Sequence, residues 1–149
     1  VVTVSDGVAG GVREDRGGPA VAEALERAGA AVEPVTVSAD GIEPVAEALR
    51  RACDGFAGLV VTTGGTGFGP RDLTPEATRT VIEREAPGLA EAMRAVNPLG
   101  RLTRGVAGTV GRALVVNVPG SPRGAVECLD AVIDVVPHAL RLLEGHTGH

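Results

Sequence analysis

Valine-rich runs that end in polar turns alternate with stretches of helical period along this chain, and that alternation leaves few folds open. Val1 to Val4 runs into Ser5-Asp6-Gly7. From Pro19 onward Val21, Leu25 and Ala28 recur at i, i+4 and i+7, with Glu23, Glu26 and Arg27 on the opposite face and Gly29 placed to end the helix. A second strand is predicted over Ala31 to Val37, meeting Ser38-Ala39-Asp40-Gly41, and a second helix over Pro44 to Ala52. The third strand, Gly58 to Thr63, feeds a run that sets four glycines in six residues. Beyond it Thr74 is a good N-cap and Pro75 suits the first helical position, so a helix is predicted over Pro75 to Glu85.

After Pro87 a short helix to Arg94 is expected, then an irregular stretch from Asn97-Pro98 and two strands, around Arg104 to Ala107 and Arg112 to Val118. The last strand meets Pro119-Gly120-Ser121-Pro122. A helix then carries Val126, Leu129, Ile133, Val136, Leu140 and Leu143 as a core-facing stripe, which Pro137 should kink or split. Strands alternating with helices predict an α/β fold: a three-layer α/β/α arrangement, a mostly parallel open sheet with helices on both faces, one domain over 1–149. In such folds the loops after the strands gather at one sheet edge, where ligands bind.

Composition narrows the chemistry. All 14 basic residues are arginine, which excludes Schiff-base chemistry and a Walker-type phosphate lysine. A formal charge of −5, with two Phe and neither Tyr nor Trp, argues against nucleic-acid binding. No apolar run approaches the roughly 18 residues of a membrane span, and no leader is expected in the first residues. Cys53 and Cys128 have no metal-ligand spacing and read as buried thiols of a cytoplasmic protein. The histidines of His146-Thr-Gly-His149 read as a loose tail and His138 as structural.

The run Gly64-Gly65-Thr66-Gly67 removes Cβ atoms where the backbone must approach a ligand or take positive φ, and consecutive N–H groups in such turns can nest an anion. A steric need for glycine in a strand-to-helix turn explains the run equally well. Arg71-Asp72, inserted before the helix, is what needs explaining. Mg²⁺ is commonly held by one or two carboxylates together with substrate phosphate oxygens. Asp40, at the end of the neighbouring strand, and Asp72 could share one such ion.

The segment GGTGFGPRDLTPEATRTVIEREAPGL closely resembles the MogA/MoaB family of molybdenum cofactor biosynthesis, found also as the G domain of gephyrin. VSDGVAGGVREDRGGP, Ser38-Ala39-Asp40 and LTRGVAGTVGRALVVNVPGSP extend the likeness over essentially the whole chain. The resemblance implies a Mg²⁺-dependent molybdopterin adenylyltransferase with ATP and molybdopterin as substrates, acting as a homotrimer or hexamer beside a downstream molybdenum insertase; a non-catalytic MoaB-type molybdopterin-binding or scaffold protein is the alternative. It implies that Asp40 and Asp72 are catalytic and hold Mg²⁺. Thr3, Ser5 and Thr103 fall at pterin-side hydroxyl positions, beside Asp6 of the Val-Ser-Asp segment. Gly64, Gly65, Thr66 and Gly67 fall in the phosphate and nucleotide loop, and Asn117, Pro119 and Gly120 in a second nucleotide-proximal loop. Arg71 and Arg104 are candidate phosphate clamps, because a guanidinium can engage two oxygens at once. Thr103, Gly17 and Ala39 depart from residues common in the family.

Overall fold

The computed structural model describes residues 1–148, so His149 lies outside the described residues. Six strands, β1 (Val2–Val4), β2 (Thr36–Ser38), β3 (Gly58–Thr63), β4 (Arg84–Glu85), β5 (Ala107–Val110) and β6 (Ala113–Val118), form one sheet in the order β2-β1-β3-β6-β5-β4. β2, β1, β3 and β6 run parallel; β5 is antiparallel to β6, and β4 to β5. The helices are α1 (Asp6–Ala9), α2 (Gly17–Arg27), α3 (Ile42–Cys53), α4 (Thr74–Val81), α5 (Pro87–Arg94), α6 (Pro122–Asp130) and α7 (Val136–Leu143), with a 3-10 turn at Pro98–Leu102.

Alternation along the central strands divides the core between the two faces. Val61, Val116 and Val118 pack with Val21 and Leu25 of α2, Met93 of α5 and Leu129 of α6. Val60, Ala113 and Val115 pack with Val45 and Leu49 of α3 and Ala77 of α4. This is the expected three-layer α/β/α order. Each of the fully buried valines contributes roughly 1.5–3 kcal/mol over an exposed position. Cys53 and Cys128 are free, buried thiols. Among the described residues no helix is long and apolar enough to cross a membrane.

Several boundaries move, each for a physical reason. β2 is confined to Thr36–Ser38 because it ladders with β1 over Val2–Val4, while Ala31 to Pro34 take no strand partner and Pro34 has no N–H to give. α2 starts two residues early, at Gly17, and ends at Arg27, so Ala24 replaces the exposed Ala28 in the buried stripe. Thr74 does not cap α4: its N–H donates to Gly65 O at 3.0 Å and its hydroxyl to Gly64 O at 2.9 Å, folding the helix start under the glycine run. α4 ends at Val81, where β-branched Val81 and Ile82 weaken the helix and Arg84–Glu85 are captured as an edge strand by Thr109 and Gly108. β5 begins at Ala107, not Arg104, because Arg104 and Gly105 are tied elsewhere, as described below. The last helix is split, with Pro137 in the first turn of α7.

Candidate functional site

β1 lies at the centre of the parallel strands, with β2 on one side and β3 on the other, so the chain reverses direction across the sheet there. The loops after these strands and after β6 meet at one edge. Backbone bonds fix them together: Ser5 N–H to Ser38 O at 2.9 Å, and Gly64 N–H to Val118 O at 3.1 Å. The Thr63 hydroxyl donates to Pro119 O at 2.8 Å. Between the loops opens a cleft of about 590 Å³. Of the residues expected to act, Thr3, Ser5, Asp40, Gly64, Gly65, Asp72 and Gly120 line it.

The glycine run forms one wall. Gly64 (φ +107°) and Gly65 (φ +68°) both need the left-handed region. A Cβ on Gly64 would strike Val4 O, and one on Gly65 would strike the Thr74 hydroxyl. The Gly65 N–H donates to no protein acceptor among the described residues. Along this wall stand the two aspartates. Asp40 Oδ2 accepts the Asp6 N–H at 2.8 Å, and Oδ1 lies against Gly65 with no protein donor among the described residues. Asp72 Oδ2 accepts the Gly69 N–H at 2.9 Å, and Oδ1 is likewise without a donor. Each carboxylate is therefore held by one oxygen and has the other to offer. Burial raises the Asp40 carboxyl above the usual range; the Asp6 backbone hydrogen bond opposes this, and the charges of Asp6 and Asp72 add to it.

On the opposite wall, Thr3 donates its hydroxyl to Asp15 Oδ2 at 2.8 Å, while Asp15 Oδ1 accepts the Gly18 N–H at 3.0 Å and so caps α2. Ser5 Oγ accepts the Val8 N–H at 3.2 Å, which leaves its proton free to donate. Arg13, Glu14, Asp15, Arg16, Gly17, Thr63, Ser121 and Pro122 also line the cleft and were not picked out from the sequence as site residues. Arg16 lies 3.5 Å from Glu14, whereas the Arg13 guanidinium meets no carboxylate among the described residues. A Cβ on Gly17 would stand 3.1 Å from both Gly120 O and the Thr63 hydroxyl, so any larger residue there would press on the loops after β3 and β6.

The remaining expected residues surround the cleft without lining it. Asn117, 2% exposed, spends its side chain internally: Oδ1 accepts the Val106 N–H at 3.1 Å, and Nδ2 donates to the hydroxyls of Thr62 at 2.8 Å and Thr78 at 3.0 Å. Arg104 is not a free clamp. It donates to Gly67 O at 2.9 Å, to Asp72 O at 2.6 Å and to Glu76 Oε1, pinning both ends of the loop that carries Asp72. That hydrogen bond holds the Glu76 carboxyl below the usual range. Thr66 is buried and accepts the Arg104 N–H at 2.9 Å; Thr103 Oγ1 accepts the Gly105 N–H at 3.3 Å. Pro119 contributes its carbonyl to Thr63, and a Cβ on Gly67 would stand 3.0 Å from Asp72 Oδ2. Arg71 is not a free clamp either: it grips Asp6 through Nε to Oδ2 at 3.0 Å and Nη2 to Oδ1 at 3.1 Å.

Four carboxylates against two guanidiniums give the cleft an acidic balance, yet its glycine wall offers the Gly65 N–H to an anion. A phosphate and two unneutralised aspartates repel: like unit charges about 4 Å apart cost roughly 4 kcal/mol at an effective dielectric of 20. The donor set, two hard carboxylate oxygens in a cleft open to substrate oxygens, fits Mg²⁺. Among the described residues no group of three or more His, Cys, Asp or Glu side chains could cage a metal without such substrate oxygens.

Residues 1–138 match the family model described as a probable molybdopterin binding domain. A molybdopterin adenylyltransferase of Helicobacter pylori (strain J99) is 37% identical over 155 aligned residues, spanning 98% of this chain and 87% of the relative. A molybdenum cofactor biosynthesis bifunctional protein of Chlorobaculum tepidum is 31% identical over 153, matching 100% of this chain and 49% of its own length. The crystal structure of the molybdopterin biosynthesis enzyme MoaB from Thermus thermophilus superposes with a TM-score of 0.90 at 46% identity, covering 97% of this chain and 94% of the other.

Proposed function

The chain belongs to the MogA/MoaB family of molybdopterin-binding domains, and from that premise we propose that it is a molybdopterin adenylyltransferase using Mg²⁺ and ATP. The carrying observation is that Asp40 and Asp72, from loops far apart in sequence, line one cleft beside Gly64 and Gly65, each with an oxygen left over. In the reaction a phosphate oxygen of molybdopterin bonds to the α-phosphorus of ATP as the bond from that phosphorus to the bridging oxygen breaks. Adenylyl-molybdopterin and pyrophosphate are the products.

No protein nucleophile is needed, in keeping with a chain that has no lysine and only buried thiols. Transfer of this kind depends on positioning and charge neutralisation. Asp40 and Asp72 would hold the metal, which when bound neutralises phosphate charge and so lets the two anionic substrates approach. With no protein partner for either among the described residues, the Gly65 N–H is free to donate to a phosphate oxygen, and Arg13 brings a cation. Thr3 and Ser5 set hydroxyls on the pterin side. The chain would act as one molybdopterin-binding domain, assembled as a trimer or dimer of trimers, handing its product to a molybdenum insertase.

Purified protein incubated with molybdopterin, ATP and Mg²⁺ is expected to form adenylyl-molybdopterin and pyrophosphate in equal amounts. Intact pterin binding with no adenylylated product would leave a binding protein in place of the enzyme. Light scattering on the same sample checks the assembly.

A further inference from the structure

Arg71 and Asp6 stand just outside the cleft, and neither is used in the reaction above. Their contacts close a ring. The Arg71 fork holds both oxygens of Asp6 and its Nη2 also donates to Asp40 O at 2.9 Å. Asp6 N–H donates to Asp40 Oδ2 at 2.8 Å, and Asp40 N–H returns a bond to Asp6 Oδ1 at 3.1 Å. Three loops, those following β1, β2 and β3, are thereby joined through the side chains of Asp6, Asp40 and Arg71.

We propose that Arg71 and Asp6 are positioning residues, a clasp that fixes the free oxygen of Asp40 relative to Asp72. Arg71 immediately precedes Asp72 in the chain, so the clasp ties the loop of one aspartate to the backbone of the other. Asp40 Oδ2 is held by the Asp6 N–H, which leaves Oδ1 against Gly65. The Arg71 and Asp6 side chains are 61% and 48% exposed, and an exposed ion pair adds little to stability. A device placed there does not hold the fold together; it sets the relation between two loops. Hydrogen bonding to Arg71 keeps the Asp6 carboxyl below its ordinary range.

The activity arm of the test rests on the adenylyltransferase reading; the exchange arm does not. In Arg71→Ala and Asp6→Asn, kcat is expected to fall roughly 30-fold, with KM for ATP within about threefold, as for a misplaced catalytic group. Melting temperature should stay near that of the wild type. Amide exchange at Asp6 and Asp40, measured without substrates, should quicken about tenfold while β3 is unchanged. The double variant should lose no more than either single one. Arg71→Lys keeps the charge and forfeits the fork, and should behave like Arg71→Ala. Unchanged exchange at both amides, additive losses, or full turnover restored by lysine would each overturn the clasp. If the wild type makes no adenylylated product, the functional reading falls and the exchange measurement alone decides.

Discussion

The side-chain amide of Asn117 donates to the hydroxyl of Thr78 at 3.0 Å, joining the end of β6 to the middle of α4, the helix packed on that face of the sheet. Its other bonds, to Thr62 and Val106, complete a buried polar knot two residues before the glycine run. Asn117→Ala would leave the Thr62 hydroxyl and the Val106 N–H without this partner in the interior and take one bond from Thr78, whose hydroxyl still donates to Thr74 O. A loss of about 3 kcal/mol is expected, measured as a lower urea midpoint with an unchanged slope.

Two glycines a few residues apart should fail differently. Gly64→Ala must adopt φ near +107° with its methyl against Val4 O, so it should cost about 2–4 kcal/mol of stability. Gly67→Ala is spared positive φ, and its methyl meets only the Asp72 carboxylate, 3.0 Å away. Thermal melting should report the first variant, while the second should keep its melting temperature and lose turnover.

Asp72→Asn keeps the acceptor for Gly69 N–H and removes the charge. Pterin affinity is expected to stay within a few-fold and turnover to drop by about 10²-fold or more. Parallel titration calorimetry and product assays separate the two.

Arg13, with no carboxylate partner among the described residues, is free to meet an anion. Arg13→Ala should raise KM for a phosphate-bearing substrate about tenfold, the loss of one charge-assisted hydrogen bond, with kcat little changed. Steady-state kinetics with ATP and with molybdopterin varied in turn identifies which substrate it meets.

Burial pushes the Cys53 thiol up to about 11. Unfolded, the thiol ionises near 8.5, so between these values the unfolded chain has released a proton that the folded chain retains. Stability from this group is complete below the lower value and is lost as pH rises through the higher one. Cys53→Ala should therefore flatten the fall in melting temperature between about pH 9 and 11, and the native thiol should resist alkylation near neutrality.

Periodicity made the layers legible: β3 and α5 fall where the sequence places them, and the split at Pro137 follows from its ring. Edges were not legible, because a strand's length is set by its neighbour. Arg84–Glu85 look helical until β5 offers them a ladder. At the site, residue type and family motif together point to Asp40, Asp72, Gly64 and Gly65, all of which meet in the cleft. Residue type alone misleads for the arginines, since which oxygen a guanidinium grips depends on loops that only the fold brings near. Arg104 and Arg71 are committed to the protein itself, while Arg13, unremarkable in sequence, is left uncommitted. Asp15 had a visible signal, an aspartate three residues before Gly18 at a helix start.

The glycine run is held by groups that follow it: Gly64 by Val118 O, Thr63 by Pro119 O, and Gly67 and Asp72 by Arg104. Cut after its first hundred residues, the chain would keep both aspartates and the glycines between them but lose every one of these fastenings.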